Sequence, residues 1–371
     1  MRVETTALTG ATPGTRREVT LYRFGTPGAG TKVYLQAGLH ADELPGVLIL
    51  QHFLDLMQQA EAQDAILGEV LVVPMANPIG LSNWQFQRPQ GRHDPDTLQN
   101  YNRNYPDLAD LVGDTLVGKL TASAATNQTL IRAAFRNALS GMTPKTDLEE
   151  LQITLLHWSC DADYVLDLHC DHHAILHLYA ASHRPADTTA LCRATGAELA
   201  LIQDVSGGLA FDEAHSVPWM HLRDRFAPDH PVPIACFSTT LEYRGQFDVD
   251  DTMAQQDAAN LMGFLGQIGV LKDIAAPRHA DAVHLPLGGA AEVFAPQGGV
   301  VTWAARPGDW VAAGQVLGNV TDPVSRRRLA LTAPQDGLLF RIELWPSCTR
   351  GQGLAHVAGE SVVRSGNLLS Y

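Results

Sequence analysis

The stretch Val33-Tyr34-Leu35-Gln36-Ala37-Gly38-Leu39-His40-Ala41-Asp42-Glu43-Leu44-Pro45-Gly46 decides the fold. Its first residues are a short apolar run, Gly38 marks a turn, and Pro45 falls where the first turn of a helix accepts a proline, so the segment reads strand, loop, helix. Open α/β sheets present functional groups at such strand ends. His40 and Glu43 stand three residues apart in the loop, and at that spacing an imidazole nitrogen and a carboxylate oxygen can converge on one zinc ion. The same pair also suits a solvated histidine beside a helix-capping acid.

Outward from this segment, Lys32–Gln36 and Val70–Pro74 read as strands with a helix over Pro45–Gln59 between them. That alternation argues for α/β architecture with largely buried strands in a sheet that can be mixed. Asp163–Leu168, Ile175–Tyr179 and Phe237–Glu242 are further strands, and Asp250–Ile268 is a helix. Leu116–Ser140 and Thr146–Trp158 read as two helices inserted between the motif-bearing segments. Past Ala275-Ala276-Pro277-Arg278 the texture changes to short strands separated by turns such as Arg306-Pro307-Gly308-Asp309 and Gln335-Asp336-Gly337. The expected division is an α/β domain over residues 1–280, with a helical insertion at 107–158, and a smaller all-β domain over residues 283–371.

Composition narrows the function classes. A 45% hydrophobic and 18% charged chain of 371 residues is ordinary globular protein. Asp and Glu total 40 against 26 Lys and Arg, a net charge of −14 that repels the nucleic-acid backbone and the anionic membrane face, so neither partner is expected. No stretch reaches the roughly 18 apolar residues of a membrane span and the N-terminal residues show no apolar targeting core, which gives a cytoplasmic protein as the expectation. Five cysteines without a C-x-x-C pair point to buried free thiols.

Three more segments carry chemistry. The apolar strand Ala162–Cys170 contains Asp167-Leu168-His169, and a histidine at the end of a buried strand supplies the third ligand of a His-Glu-His metal site, with Asp167 placed to orient an imidazole. A buried Asp/His pair of purely structural purpose is the other reading. His172, His173 and His177 alternate over both strand faces and read as structural, with His172 or His173 able to line a cleft. The loop Gly91–Pro106 holds Arg92 and Arg103, so one guanidinium can fork a carboxylate and the other can stabilise an oxyanion. Ser238–Gly245 ends an apolar strand on Glu242, a seat for a general base.

Taken in order, His40-x-x-Glu43, Arg92 ten residues before Asn102-Arg103, Asp167-Leu168-His169 and Thr240-Leu241-Glu242 resemble the succinylglutamate desuccinylase/aspartoacylase family, a branch of the zinc-carboxypeptidase-like fold, over residues 30–270. The resemblance implies a mixed sheet flanked by helices and one zinc ion per chain on His40, Glu43 and His169. It further implies that Arg92 polarises the scissile carbonyl, that Asn102 and Arg103 hold a substrate carboxylate, and that Glu242 is the general base. The implied reaction removes an acetyl- or succinyl-type acyl group from a small N-acylated amino acid or diamino acid. The chain departs from the family at Tyr105-Pro106, where many members have Phe-Pro, and at Cys170-Asp171-His172-His173, where small residues are common.

Ala295–Val301, Arg306–Gly318 and Ala333–Gly337 resemble the barrel-sandwich-hybrid domains of biotinyl and lipoyl carriers. No lysine follows Lys272, so carrier chemistry is excluded, and the region is expected to narrow the cleft or to build an oligomer interface. Homo-oligomerisation is left open. Two other functions fit the same residues: a zinc metallopeptidase acting on short peptides, and a non-catalytic protein binding a small molecule in a degenerate hydrolase pocket.

Overall fold

In the computed structural model, which describes residues 1–10 and 12–368, every residue from Val33 to Ala37 is buried. A strand covered on both faces must lie inside a sheet with helices on either side. That sheet contains β1 (Arg2–Leu8), β2 (Arg17–Gly25), β3 (Lys32–Ala37), β4 (Glu69–Val73), β5 (Tyr164–Asp171), β6 (His177–Ala180), β7 (Leu199–Ile202), β8 (Phe237–Gly245) and β9 (Val283–Pro286), in the order β1-β2-β4-β3-β5-β8-β6-β7-β9. The central strands β4, β3, β5 and β8 run parallel, β2 is antiparallel to β4, and β6 is antiparallel to β8. The sheet is therefore mixed, as expected.

Period-two alternation divides the side chains between two cores. Val33, Leu35, Val70, Val72, Leu166, Leu168 and Leu241 face a cluster with the apolar stripe of α1 (Pro45–Ala62). Tyr34, Leu71, Val73 and Val165 face the other cluster, built with α2 (Leu108–Leu116), α3 (Ala124–Ser140) and α4 (Asp147–Ser159). By the same alternation Gln36, Asp167, His169 and Glu242 belong to this second face. Three further helices are α5 (Pro185–Thr195), α6 (Glu213–Phe226) and α7 (Asp251–Gln267), besides a single turn at Pro78–Leu81, and α1 packs against α7. Among the described residues no helix is long and apolar enough to cross a membrane.

The inserted segment contains three helices where the sequence suggested two. Asp107, Ser123 and Thr146 each cap one through a side-chain oxygen, and Gly118 in the left-handed region breaks the run that begins at Leu116. Arg132 of α3 ties the segment to the sheet, donating to Asp163 Oδ1 at 2.7 Å and to the Ala235 carbonyl at 3.0 Å.

Beyond residue 286 the chain forms two antiparallel sheets. One contains β10 (Ala290–Phe294) beside β15 (Gly353–Ala358) and β14 (Gly337–Ile342); the other contains β11 (Gly299–Trp303), β12 (Val316–Thr321) and β13 (Arg328–Thr332). Residues 369–371 of the expected all-β domain lie outside the described residues. Its expected first strand does not belong to it: β9 pairs in parallel with β7 and completes the edge of the large sheet. The two parts are also joined by backbone, since His173–Ala174 pairs with Ile342 and Arg341 of β14 and Ile175 N donates to the Phe340 carbonyl at 3.0 Å.

The approach of α1 to the sheet depends on Gly46, where a Cβ would stand 2.9 Å from Leu168 Cβ and 3.2 Å from Ala37 Cβ. Gly46→Ala should lower stability by about 1–3 kcal/mol, the usual cost of overpacking a core. The measurement is the urea midpoint, and an unchanged midpoint would mean that the helix shifts freely on the sheet.

Candidate active site

The carboxyl ends of β3, β5 and β8 meet on one edge because the three strands are parallel. Gly38, at φ 69°, turns the chain out of β3 so that His40 and Glu43 precede α1. In the β5–β8 ladder His169 and Glu242 are register partners, and alternation puts both on the same face. Gly91 carries the Arg92 loop onto the His40–Glu43 loop: Ala41 N donates to the Gly91 carbonyl at 3.1 Å, and a Cβ on Gly91 would fall 2.3 Å from Asp42 N.

The result is a buried trio. Ligand atoms of His40, Glu43 and His169 lie within 4.8 Å of one another. His40 Nδ1 is 2.9 Å from Glu43 Oε1, His169 Nδ1 is 2.8 Å from Glu43 Oε2, and the two rings meet edge to face at 4.9 Å. Each imidazole is held from behind: His40 Nε2 lies 2.8 Å from Asn100 Oδ1, and His169 Nε2 lies 2.9 Å from Asp167 Oδ2. Asn100 Oδ1 also accepts from Asn102 N at 2.8 Å, and Asp167 Oδ1 accepts from Gln36 Nε2 at 3.0 Å. Tyr34 in turn donates to Gln36 Oε1 at 2.9 Å.

These outer bonds fix which nitrogen each ring offers. An N–H at Nε2 directed to Asn100 leaves the His40 Nδ1 lone pair facing a carboxylate oxygen, an arrangement that calls for a cation between them. Without an ion the two rings are charged differently. Burial, helped by Arg92, pushes His40 down to about 4. Burial would lower His169 too, but the Asp167 and Glu43 carboxylates outweigh it and hold His169 well above its ordinary range. Glu43 is held well below the usual carboxylate range because both histidines overcome its burial. Two imidazole nitrogens and one carboxylate in a buried pocket fit a divalent metal ion of the zinc type.

The other expected residues gather around the trio. Arg92 Nη1 donates to Glu43 Oε1 at 2.8 Å. Asn102 Oδ1 accepts from Phe211 N at 2.8 Å while its Nδ2 is 3.5 Å from His169 Nε2, and Arg103 Nη1 donates to the Asn102 carbonyl at 2.6 Å. Glu242 Oε2 is buried with no hydrogen-bond partner among the described residues, and burial together with the nearby Glu43 raises its pKa to about 8. Arg92, Asn102, Arg103 and Glu242 line one cavity of about 510 Å³ with the trio. His172 lines it as well, 3.1 Å from Glu343; His173 is exposed, and His177 is buried against the Ile175 carbonyl.

The sequence reading missed Asn100, which lies sixty residues from its histidine and whose only local signal was its place in the same polar loop as Asn102-Arg103. It also missed Tyr179, Asp212, Glu213 and Arg341 in the cavity wall.

The sequence model of the succinylglutamate desuccinylase/aspartoacylase catalytic domain matches residues 29–217, half of the chain. The chain belongs to the succinylglutamate desuccinylase/aspartoacylase family. A crystal structure described as a family protein from Shewanella amazonensis superposes with a TM-score of 0.85 at 25% identity, covering 96% of this chain and 98% of that one. A second, from Shewanella frigidimarina and described in the same family terms, gives 0.81 at 23% identity over 96% of each chain. The product-bound ectoine utilization protein EutE (DoeB) from Ruegeria pomeroyi gives 0.68 at 17% identity, covering 96% of this chain and 94% of that one. The last two likenesses are likenesses of fold. No curated protein sequence matches the chain.

Two outcomes follow for this family member. Asn100→Ala and Asp167→Asn should each weaken divalent-metal binding about 10–100-fold, the usual cost of removing a hydrogen bond behind a ligand, and metal titration against a chromogenic chelator reads it. Affinity equal to wild type in both would remove these residues from the site's support. The second outcome concerns pH. Glu242 has a folded-state pKa of about 8 against an ordinary 4.5, so its contribution is fully present below 4.5 and is lost as pH rises through 8. Metal-free Glu242→Gln should therefore melt above metal-free wild type at pH 9, with the gap closing toward pH 5. A gap that does not vary with pH would contradict the buried, raised carboxyl.

Proposed function

We propose that the protein is a zinc-dependent amidohydrolase that removes an acetyl- or succinyl-type group from a small N-acylated amino acid or diamino acid. The observation that carries this reading is the juxtaposition, in one cavity, of a buried His40–Glu43–His169 trio and a Glu242 carboxyl whose Oε2 has no hydrogen-bond partner among the described residues. Family membership supplies the amide-hydrolase class.

His40, Glu43 and His169 would hold the ion, one per chain, and a zinc ion there supplies Lewis acidity and an acidified water. Glu242 takes a proton from the attacking water and delivers it to the departing amine, and a carboxyl with a pKa of about 8 in the metal-free protein can hold such a proton near neutral pH. Arg92, whose guanidinium already reaches the trio, stabilises the negative charge that develops on the carbonyl oxygen. Arg103 and the Asn102 beside it hold the substrate carboxylate, so that the amide is presented in one orientation.

The cavity wall favours a small substrate over a peptide. Phe340, Arg341, Glu343, His356 and Arg364, all from beyond residue 286, line the same 510 Å³ space as the trio. On this reading the protein acts on a soluble metabolite in the cytoplasm. Its oligomeric state does not enter the mechanism.

The test is amine release from a panel of N-acetyl and N-succinyl amino acids and short peptides, with and without chelator. Chelator-sensitive release from N-acyl amino acids is expected; cleavage of peptides alone would make the protein a metallopeptidase, and silence across the panel would favour the non-catalytic binding protein. Glu242→Gln should keep the metal and lose about two or more orders of magnitude in kcat, the scale of acid–base catalysis.

A further inference from the structure

One wall of the cavity is a single crossing segment. After β15 the chain stays on the β-rich part, where Gly359 N donates to the Gly289 carbonyl at 3.0 Å, and Val363 N and Arg364 N both donate to the Gly288 carbonyl, at 2.8 and 2.9 Å. It then crosses to the α/β part, where Leu368 N donates at 2.7 Å to the carbonyl of Ser206, in the loop that follows β7. Residues 360–363 and 365–367 are exposed, whereas Arg364 and Leu368 line the cavity and Leu368 is 7% exposed. Between its two anchors this strap has solvent on one side and the cavity on the other.

Both landing points admit close approach. A Cβ on Gly288 would stand 2.6 Å from the Arg364 carbonyl oxygen, and one on Gly207 would stand 3.0 Å from Asn367 Cα. Beyond Gly207 the loop lies along the segment that carries Asn102 and Arg103. Asn104 N donates to the Gly208 carbonyl at 2.7 Å, Tyr105 N to the Leu209 carbonyl at 3.1 Å, and Phe211 N to Asn102 Oδ1 at 2.8 Å, while a Cβ on Gly208 would stand 2.9 Å from Arg103 Cδ. Asn102 Nδ2 is in turn 3.5 Å from His169 Nε2. A continuous run of contacts thus leads from Leu368 to the trio, and it passes through the residues assigned above to the amino-acid half of the substrate. The Leu368 side chain belongs to one cluster with Leu201, Leu287 and Phe340, which also line the cavity.

We propose that the strap at 359–368 limits the size of the substrate's amino-acid half, with Leu368 as the specificity-determining side chain. The argument is steric. Truncating a side chain inside a packed core leaves a sealed void, but Leu368 borders the cavity, so shortening it adds room that a substrate can occupy. Space for one methylene in such a pocket separates homologous substrates by about 10–200-fold. The affected half follows from the anchor: the strap is fastened to the loop that holds Asn102. This inference rests on the amidohydrolase reading and narrows its substrate range.

The experiment starts from the best N-acyl amino acid of the panel above and enlarges it at either end, with bulkier amino-acid side chains in one series and longer acyl chains in the other. Zinc-loaded wild type, Leu368→Ala, Leu368→Met and Leu368→Phe are compared, with kcat and KM measured separately. In Leu368→Ala the kcat/KM ratio of bulky to small members of the amino-acid series should rise at least about ten-fold, mainly through KM. Leu368→Phe should lower that ratio, and Leu368→Met, which nearly conserves volume, should leave it close to wild type. A ratio that moves in neither Leu368→Ala nor Leu368→Phe would overturn the proposal, and so would a gain confined to the acyl series. Equal loss on every substrate would also overturn it, because the strap would then only support the fold. Wild type that hydrolyses the panel while the ratio stays fixed removes the strap's role alone; wild type silent on every amide removes the amidohydrolase reading as well.

Discussion

A buried carboxylate must be surrounded by donors or cations, and Glu43 is that carboxylate here. One oxygen meets His40 and Arg92; the other meets His169 and the Cys170 backbone N–H. Three stretches far apart in sequence converge on a single side chain, and each is fixed from its outer side. Gly38 and Gly91 set the loops, and the parallel register of β3 with β5 puts Gln36 opposite Asp167. The interior polar chain Tyr34–Gln36–Asp167–His169 is satisfied link by link, which makes it rigid.

The same electrostatic environment moves neighbouring groups in opposite directions. His40 is driven toward neutrality and His169 toward the charged form, while Glu242, within reach of Glu43, is driven toward its protonated form. Groups of like chemistry thus receive different assignments from position alone, a pattern common where catalysis is organised.

The strands carrying the site were legible because both of their faces are buried, which leaves continuous apolar runs such as 33–37 and 70–73 ending in polar residues. Those endings offered His40, Glu43 and His169 as candidates, and their order with Arg92, Asn102-Arg103 and Glu242 in the family's pattern selected them. Other parts left no comparable mark. β1 and β2 form a partly exposed antiparallel pair with mixed polarity, and β9 looked like the start of the β-rich region until its pairing with β7 was seen. Asn100 is tied to His40 by tertiary folding alone, and Asp212-Glu213 reads in sequence as the ordinary acidic start of a helix. The arrangement of segment 206–212 against Arg103 appears only in three dimensions.

The run from His169 to Ala174 belongs to both halves of the molecule: it begins at the buried trio and ends as an edge of the second sheet, where Arg341 also comes within 3.2 Å of Asp171. A hinge that swung the β-rich part away would have to tear that ladder or drag the His169 strand with it. The cavity is therefore not a jaw. Any opening made by moving the β-rich part would break backbone hydrogen bonds in the same stretch that carries His169.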